Sequence, residues 1–283
     1  MPDVRSILAE AIALLDATSA ETPKLDAEVI LCNALGCERV QLFSRPERAL
    51  TEAEAEAFRA DIARRAEGVP VHYLIGRREF YGLEFEVNPD VLIPRPETEA
   101  LVEETLSRLR PGMRVLDVGC GSGAIAVALA KHAPGARVTA SDVSHAALRT
   151  ARRNAEQHGA PVEFFEADLT AGVGSDAVDI VVSNPPYVAE RDRPSLPRDL
   201  RYEPAGALFA GEDGLGVYRR LIPDSGRAIR SGGLLALELG QGQLESIRSL
   251  AAAAGLREVA VRKDLAGVAR VWIGEIAGSA AKE

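Results

Sequence analysis

The chain has 283 residues, 47% of them apolar, and sets 33 basic against 42 acidic side chains for a net charge of −9. That length holds one large or two ordinary domains, and the acidic balance without a basic tract argues against bulk attraction to nucleic acid or an anionic membrane. No run approaches the ~18 uninterrupted apolar residues of a membrane span, no signal peptide opens the chain, and Cys32, Cys37 and Cys120 suggest no disulfide framework, so a reducing cytoplasm is the expected home.

The four histidines (His72, His132, His145 and His158) show no metal-ligand spacing with each other or with cysteine, and no metal is expected. Residues 1 to about 75 read as all-helical. Val4, Ile7, Leu8, Ile12, Leu14 and Leu15 make an apolar stripe at helical spacing, and Leu25, Val29, Ile30 and Leu35 make another, closed by Gly36. Thr51 to Glu54 has the Thr-x-x-Glu form of a capping box and opens a third helix running to about Gly68. This segment carries 8 Lys/Arg and 13 Asp/Glu. It is either a helical scaffold with a solvated acidic face or a recognition module.

Residues 76–96 read as a connector. Arg78 to Tyr81 and Leu83 to Val87 are short strands around Gly82, a hairpin in which aromatic residues cluster. Pro94 and Pro96 bracket Arg95 in a rigid turn, and Glu97 to Leu109 reads as a helix. From Arg114 strand and helix alternate, which argues a doubly wound α/β sheet over residues 97–277. The order ends helix-strand-strand, so a last hairpin with one antiparallel strand is expected. Trp272 is placed in the terminal strand, and the tail, 278–283, is expected to be disordered.

Val115 to Ala124 reads as a strand, a glycine turn and a helix start. Gly119, Cys120, Gly121, Ser122 and Gly123 form a loop whose backbone can lie close against a ligand. With Ala124 it even fits the Gly-x-Gly-x-x-Gly/Ala dinucleotide form. A third glycine at 123, and Asp117 two residues before the loop, pull elsewhere. A carboxylate aimed into the loop repels a pyrophosphate but accepts from an ammonium, directly or through water, and S-adenosylmethionine carries an amino-acid end and no phosphate. Asp142 ends the next strand, where a carboxylate suits ribose hydroxyls. Asp168 follows the strand after that, within reach of an adenine amine, with Leu169 to pack on the ring. Each aspartate can instead cap a following helix, Asp168 more so than Asp142, which ends a strand where ligands bind in this architecture.

The run Ala177 to Val182 reads as a buried strand that leads straight into Ser183-Asn184-Pro185-Pro186-Tyr187. The prolines keep this loop extended and out of any helix. The Asn184 side-chain oxygen and the Pro185 carbonyl are then two outward acceptors beside the flat face of Tyr187, a constellation that suits a planar –NH2 target.

With the glycine loop, Asp142 and Asn-Pro-Pro-Tyr in order, the chain resembles class I S-adenosylmethionine-dependent methyltransferases of planar –NH2 groups. The stretches Tyr-Leu-Ile-Gly-Arg-Arg-Glu-Phe-Tyr-Gly-Leu-Glu-Phe and Val-Leu-Ile-Pro-Arg-Pro-Glu-Thr-Glu resemble the signature of the HemK/PrmC family, the peptide chain release factor glutamine methyltransferases. The likeness runs from about residue 70 onward and includes Glu203-Pro204, Ala207-Leu208 and Gly211 to Leu215. It implies N5-methylation of the glutamine in the Gly-Gly-Gln tripeptide of class 1 release factors. Cofactor roles would fall on Gly119 to Gly123 and Asp142, and the substrate glutamine on Asn184 to Tyr187. Position 169, where some relatives place an aromatic residue, is leucine. The helical segment 1–75 would then be the substrate-recognition domain. Three other readings compete. An N6-adenine methyltransferase shares the Asn-Pro-Pro-Tyr logic but lacks a basic groove here. A nicotinamide-dependent oxidoreductase has no use for that motif, and a silent binding module needs neither.

Overall fold

The structure, a computed structural model, describes residues 1–18 and 20–277; the tail expected to be disordered lies outside the described residues. It divides into two compact units, one of residues 1–77 with Leu196–Tyr202, the other of 78–195 and 203–277.

The first unit is helical: α1 Val4–Asp16, α2 Pro23–Leu35, α3 Arg39–Ser44, α4 Glu52–Glu67 and α5 Val71–Ile75. Capping boxes at Asp3 and Thr51 satisfy the first amides of α1 and α4. Gly36 and Gly68 end α2 and α4 in the left-handed conformation. Val4, Ile7, Ala11 and Leu15 of α1 are buried with Ile30, Leu31, Phe58 and Ile62. Leu14 stands 48% exposed, because the stripe follows positions 4, 7, 11 and 15 and residue 14 lies to one side of it. Helices α3 and α5 are too short to show a period, and the sequence reading passed over them. Two carboxylates of α2 are buried and paired, Asp26 with Arg65 at 2.8 Å and Glu28 with Arg39. Leu196–Tyr202 pack here through the Tyr202 hydroxyl, which donates to the Glu67 carbonyl, and through Arg198, whose Cβ lies close over Gly68.

The second unit begins with a hairpin, β1 Arg77–Phe80 and β2 Leu83–Glu86, of which only Arg77 belongs to the first unit. Tyr81 and Gly82 turn it with φ of 53° and 74°, the left-handed pair that matches strand twist. Phe80 and Phe85 meet edge to face behind it. Then follow α6 Glu99–Leu106, β3 Arg114–Val118, α7 Ala124–His132, β4 Arg137–Asp142, α8 His145–His158, β5 Val162–Glu166, β6 Val178–Ser183, α9 Ala205–Leu208, α10 Gly216–Ala228, β7 Ile229–Glu238, α11 Leu244–Ala253, β8 Leu256–Lys263 and β9 Ala269–Ile276. The expected helix from Glu97 starts instead as a 3-10 turn, Pro96–Thr98, and α6 stops at Leu106.

These strands form one sheet in the order β5-β4-β3-β6-β7-β9-β8, with β9 antiparallel to both β7 and β8. Every residue of β6 is buried, which explains why it is apolar apart from Asp179 and Ser183, both of them hydrogen-bonded. Trp272 is buried in β9, its indole N–H donating to Glu258 at 2.9 Å. At the other end of β6, Asp179 holds Arg114 and Arg230 and staples the amino ends of three adjacent strands. The strand order reverses between β3 and β6, and in open α/β sheets the crevice at that switch point, outside the carboxyl ends, takes the ligand.

Candidate active site

The register sets the site residues in one row. Val118 pairs with Ser141, Asp117 with Val182 and Ser183 with Leu237. Gly119 therefore emerges between Asp142 and Asn184, and Glu238 emerges on the far side of Asn184. The buried Ser183 hydroxyl donates to the Val118 carbonyl at 2.6 Å and ties β6 to β3 just where both loops begin.

In the glycine loop, the Gly119 and Cys120 amides donate to the Ser141 carbonyl at 2.8 and 3.0 Å. Gly119 and Gly121 take φ of 72° and 54°, and nothing lies within 4 Å of where a Cβ would stand on either. The backbone thus lines an open cradle. Gly123 serves otherwise: a Cβ there would meet Ala151 of α8 at 3.1 Å, so this glycine lets α7 and α8 close up. The Ser122 carbonyl accepts from Asn154 at 2.9 Å, and Asn154 also bonds both backbone groups of Glu86, locking hairpin to loop. Cys120 is buried, and its thiol is pushed well above its ordinary pKa by burial and by Asp117.

Both aspartates of this region turn toward backbone amides. Asp142 accepts from Gly121 N–H at 2.9 Å and from Ser144 N–H at 2.9 Å, while Ser144 itself caps α8. It is half-buried, and burial raises its pKa against the opposing pull of those amides. Asp117 departs from the sequence reading. It does not point into the cradle but lies fully buried behind it, accepting from Ala126 N–H in the first turn of α7 at 3.1 Å. Its other oxygen has no partner among the described residues and no accessible surface, so direct contact with a ligand ammonium is not made in this geometry. Burial pushes it up to about 7, with Asp142 adding to the rise.

Asp168 lies exposed beyond β5, paired with Arg220 at 2.5 Å. Leu169 is half-buried with φ of 55° and packs on the core under β6 and β7, its carbonyl accepting from Ser141. An adenine contact by Asp168 competes with that ion pair.

Asn184 donates its amide N–H to the hydroxyl of buried Thr98 at 3.1 Å. Among the described residues no donor reaches its Oδ1 or the Pro185 carbonyl, but Pro185 is buried, so the outward carbonyl expected from the sequence is not what its burial shows. Tyr187 is half-buried, its hydroxyl 3.4 Å from Glu238, and its own pKa is raised by burial and by that carboxylate. Its carbonyl accepts from Gln243 at 3.0 Å, and Gln243 also reaches the Gly214 carbonyl. Val188 bridges to Phe209, so the segment 205–215 backs the loop as an added strand-like strap. Glu203 accepts from Ile93 N–H and pairs with Arg95 at 2.5 Å, fixing the connector beside it. Thr98, Glu238 and Gln243 carried no site signal in the sequence beyond Thr98's place in the Pro-Arg-Pro-Glu-Thr-Glu stretch.

Residues 6–76 match the model of the PrmC N-terminal domain and residues 96–203 that of the methyltransferase small domain. A release factor glutamine methyltransferase of Geobacter sulfurreducens is 41% identical over 274 residues, 96% of either chain. One of Moorella thermoacetica is 44% identical over 275 residues, 95% of this chain and 97% of its own. The chain belongs to the release factor glutamine methyltransferase family. A crystal structure of a methyltransferase from Pyrococcus furiosus superposes with a TM-score of 0.54 at 21% identity over 70% of this chain and 91% of its own, which shows the class I methyltransferase fold.

The methyl donor of this methyltransferase is S-adenosylmethionine, and the cradle fits it. A dinucleotide loop presents free helix-end amides to a pyrophosphate. Here two of those donors, the Gly121 and Ala126 amides, are already taken by the carboxylates of Asp142 and Asp117. The open faces of Gly119 and Gly121 and the nearby negative charge suit a ligand bearing a sulfonium and an ammonium group.

Proposed function

We infer that this chain methylates the side-chain amide nitrogen of the glutamine in the Gly-Gly-Gln tripeptide of class 1 peptide chain release factors, and so acts in translation termination in the cytoplasm. The observation that carries the reading is the Asn184 side chain beside the glycine cradle: its N–H goes to Thr98, and its Oδ1, like the carbonyl of buried Pro185 next to it, has no donor among the described residues. Among the described residues no helix is long and apolar enough to cross a membrane.

S-adenosylmethionine supplies an electrophilic methyl group on a sulfonium; as the new N–C bond forms, the S–C bond to that methyl would break and S-adenosylhomocysteine would be left. Gly119 to Gly123 would hold it against the backbone, and Asp142, with lone pairs left over after two amide bonds, would accept from its ribose. An amide nitrogen is a poor nucleophile because its lone pair is delocalised into the carbonyl. Asn184 and Pro185 would accept its two hydrogens, so positive charge growing on nitrogen meets oriented oxygens at the moment it develops. The same two bonds aim the nitrogen, a positioning effect. Tyr187 and Pro186 would wall the amide plane. The proton then leaves to solvent, since a methylated amide nitrogen carrying positive charge is strongly acidic.

A tripeptide with two glycines offers few atoms to recognise. Selection of one protein among many therefore needs other surface, and the helical unit is the candidate, its remote binding energy raising kcat/KM. The test is transfer of labelled methyl to a purified class 1 release factor. Incorporation that vanishes when the tripeptide glutamine is replaced supports the reading, and incorporation into duplex DNA instead refutes it.

A further inference from the structure

Glu238 ends β7 beside Asn184 and is 1% exposed. Burying a carboxylate among apolar strand ends is costly unless its oxygens are used, and an aliphatic side chain would pack here without that cost. Oε1 accepts from the Tyr187 hydroxyl at 3.4 Å, while Oε2 has no hydrogen-bond partner among the described residues. The sheet does not ask for this carboxylate: buried Tyr218 donates to the backbone carbonyl of Glu238, not to its side chain. One side chain of the Asn-Pro-Pro-Tyr loop, Tyr187, thus leads back to this acid.

We propose that Glu238 is a positioning residue for methyl transfer, holding the Tyr187 hydroxyl. At 1% exposure it does not touch the glutamine or the cofactor, so it acts only through Tyr187. Without it the Tyr187 ring, which stands beside Asn184 and Pro185 in the loop, loses its anchor, and the wall of the amide pocket loosens. The inference rests on the glutamine-methylation reading.

The experiment uses the full chain, with Glu238→Gln, Tyr187→Phe, the double variant, and Glu238→Asp, too short to reach the Tyr187 hydroxyl and expected to show the same losses, as a second probe should Glu238→Gln not fold. Glu238→Gln is expected to lower kcat on a release factor about tenfold, the size of one hydrogen bond. KM for the protein and the dissociation constant of S-adenosylmethionine should stay within about twofold. If Glu238 works through the Tyr187 hydroxyl, the losses of Glu238→Gln and Tyr187→Phe do not multiply in the double variant. Losses that multiply, or cofactor affinity falling in step with kcat, overturn the proposal. A readout without turnover separates it from the functional reading. In unliganded protein labelled at tyrosine Cζ, the Tyr187 resonance, assigned by its loss in Tyr187→Phe, should move in Glu238→Gln. A wild-type chain that makes no methylglutamine refutes the functional reading alone, and an unmoved Tyr187 resonance then refutes the role of Glu238.

Discussion

An asparagine amide has a donor end and an acceptor end, and the donor end of Asn184 faces Thr98, which leaves the acceptor for the pocket. Removing that acceptor by Asn184→Ala should cost about 3 kcal/mol of transition-state stabilisation, on the order of a hundredfold in kcat. S-adenosylmethionine affinity should hold, and near-normal turnover measured under saturating cofactor would refute the role. Asp117 gives a prediction of another kind. Its folded-state pKa of about 7 lies above the roughly 3.9 of an unfolded aspartate. Its contribution to stability is therefore full below about pH 4 and is lost as pH rises through about 7. Urea unfolding of unliganded protein should show stability falling across that window by up to about 1.4 kcal/mol per pH unit for this proton. The slope should shrink in Asp117→Asn; an unchanged slope would contradict the assignment. Spacing alone brought Asp117 next to the loop but said nothing of its rotamer, which is why its burial behind the cradle was not legible. Thr98 and Glu238 were hidden for a different reason: they lie far from Asn184 and Tyr187 in sequence, and only the β6–β7 register brings Glu238, and the packing of the 3-10 turn Pro96–Thr98 brings Thr98, beside them.

At the scale of elements, the glycine loop joins β3 to α7, and its three glycines do unlike things. Gly119 and Gly121 open the cradle, while Gly123 admits α8. Gly123→Ala adds a left-handed strain of roughly 1–2 kcal/mol to overpacking against Ala151 of roughly 1–3 kcal/mol. A clear fall in melting temperature, with weakened S-adenosylmethionine binding by calorimetry, is the expected outcome. Strands β3, β4 and β6 and helices α7 and α8 were legible because each combines an apolar period with a glycine, proline or capping residue at its end. The short helices α3 and α5 were not, since one turn shows no period. Nor was the strap at 205–215, whose partner strand, at Val188, is a single bridge.

At the scale of the whole molecule, each unit has its own core, and Leu196–Tyr202, which follow the Asn-Pro-Pro-Tyr loop, pack in the helical unit. Nothing in the sequence of that stretch says so, because its partners are the end of α4 and Gly68. Val40 and Phe43 of α3 are 63% and 57% exposed. If the helical unit recognises the protein substrate, replacing both by serine should lower kcat/KM on an intact release factor about tenfold, the loss of one good interface contact. Activity on a short Gly-Gly-Gln peptide should not change; equal losses on both would refute recognition through this helix. The measurement that reaches the central claim most directly is mass spectrometry of a class 1 release factor after incubation with the chain and isotopically labelled S-adenosylmethionine. The account predicts a single added methyl on the side-chain nitrogen of the tripeptide glutamine, lost with Asn184→Ala. Label on any other residue, or an unlabelled glutamine beside methylated adenine in added DNA, would contradict it.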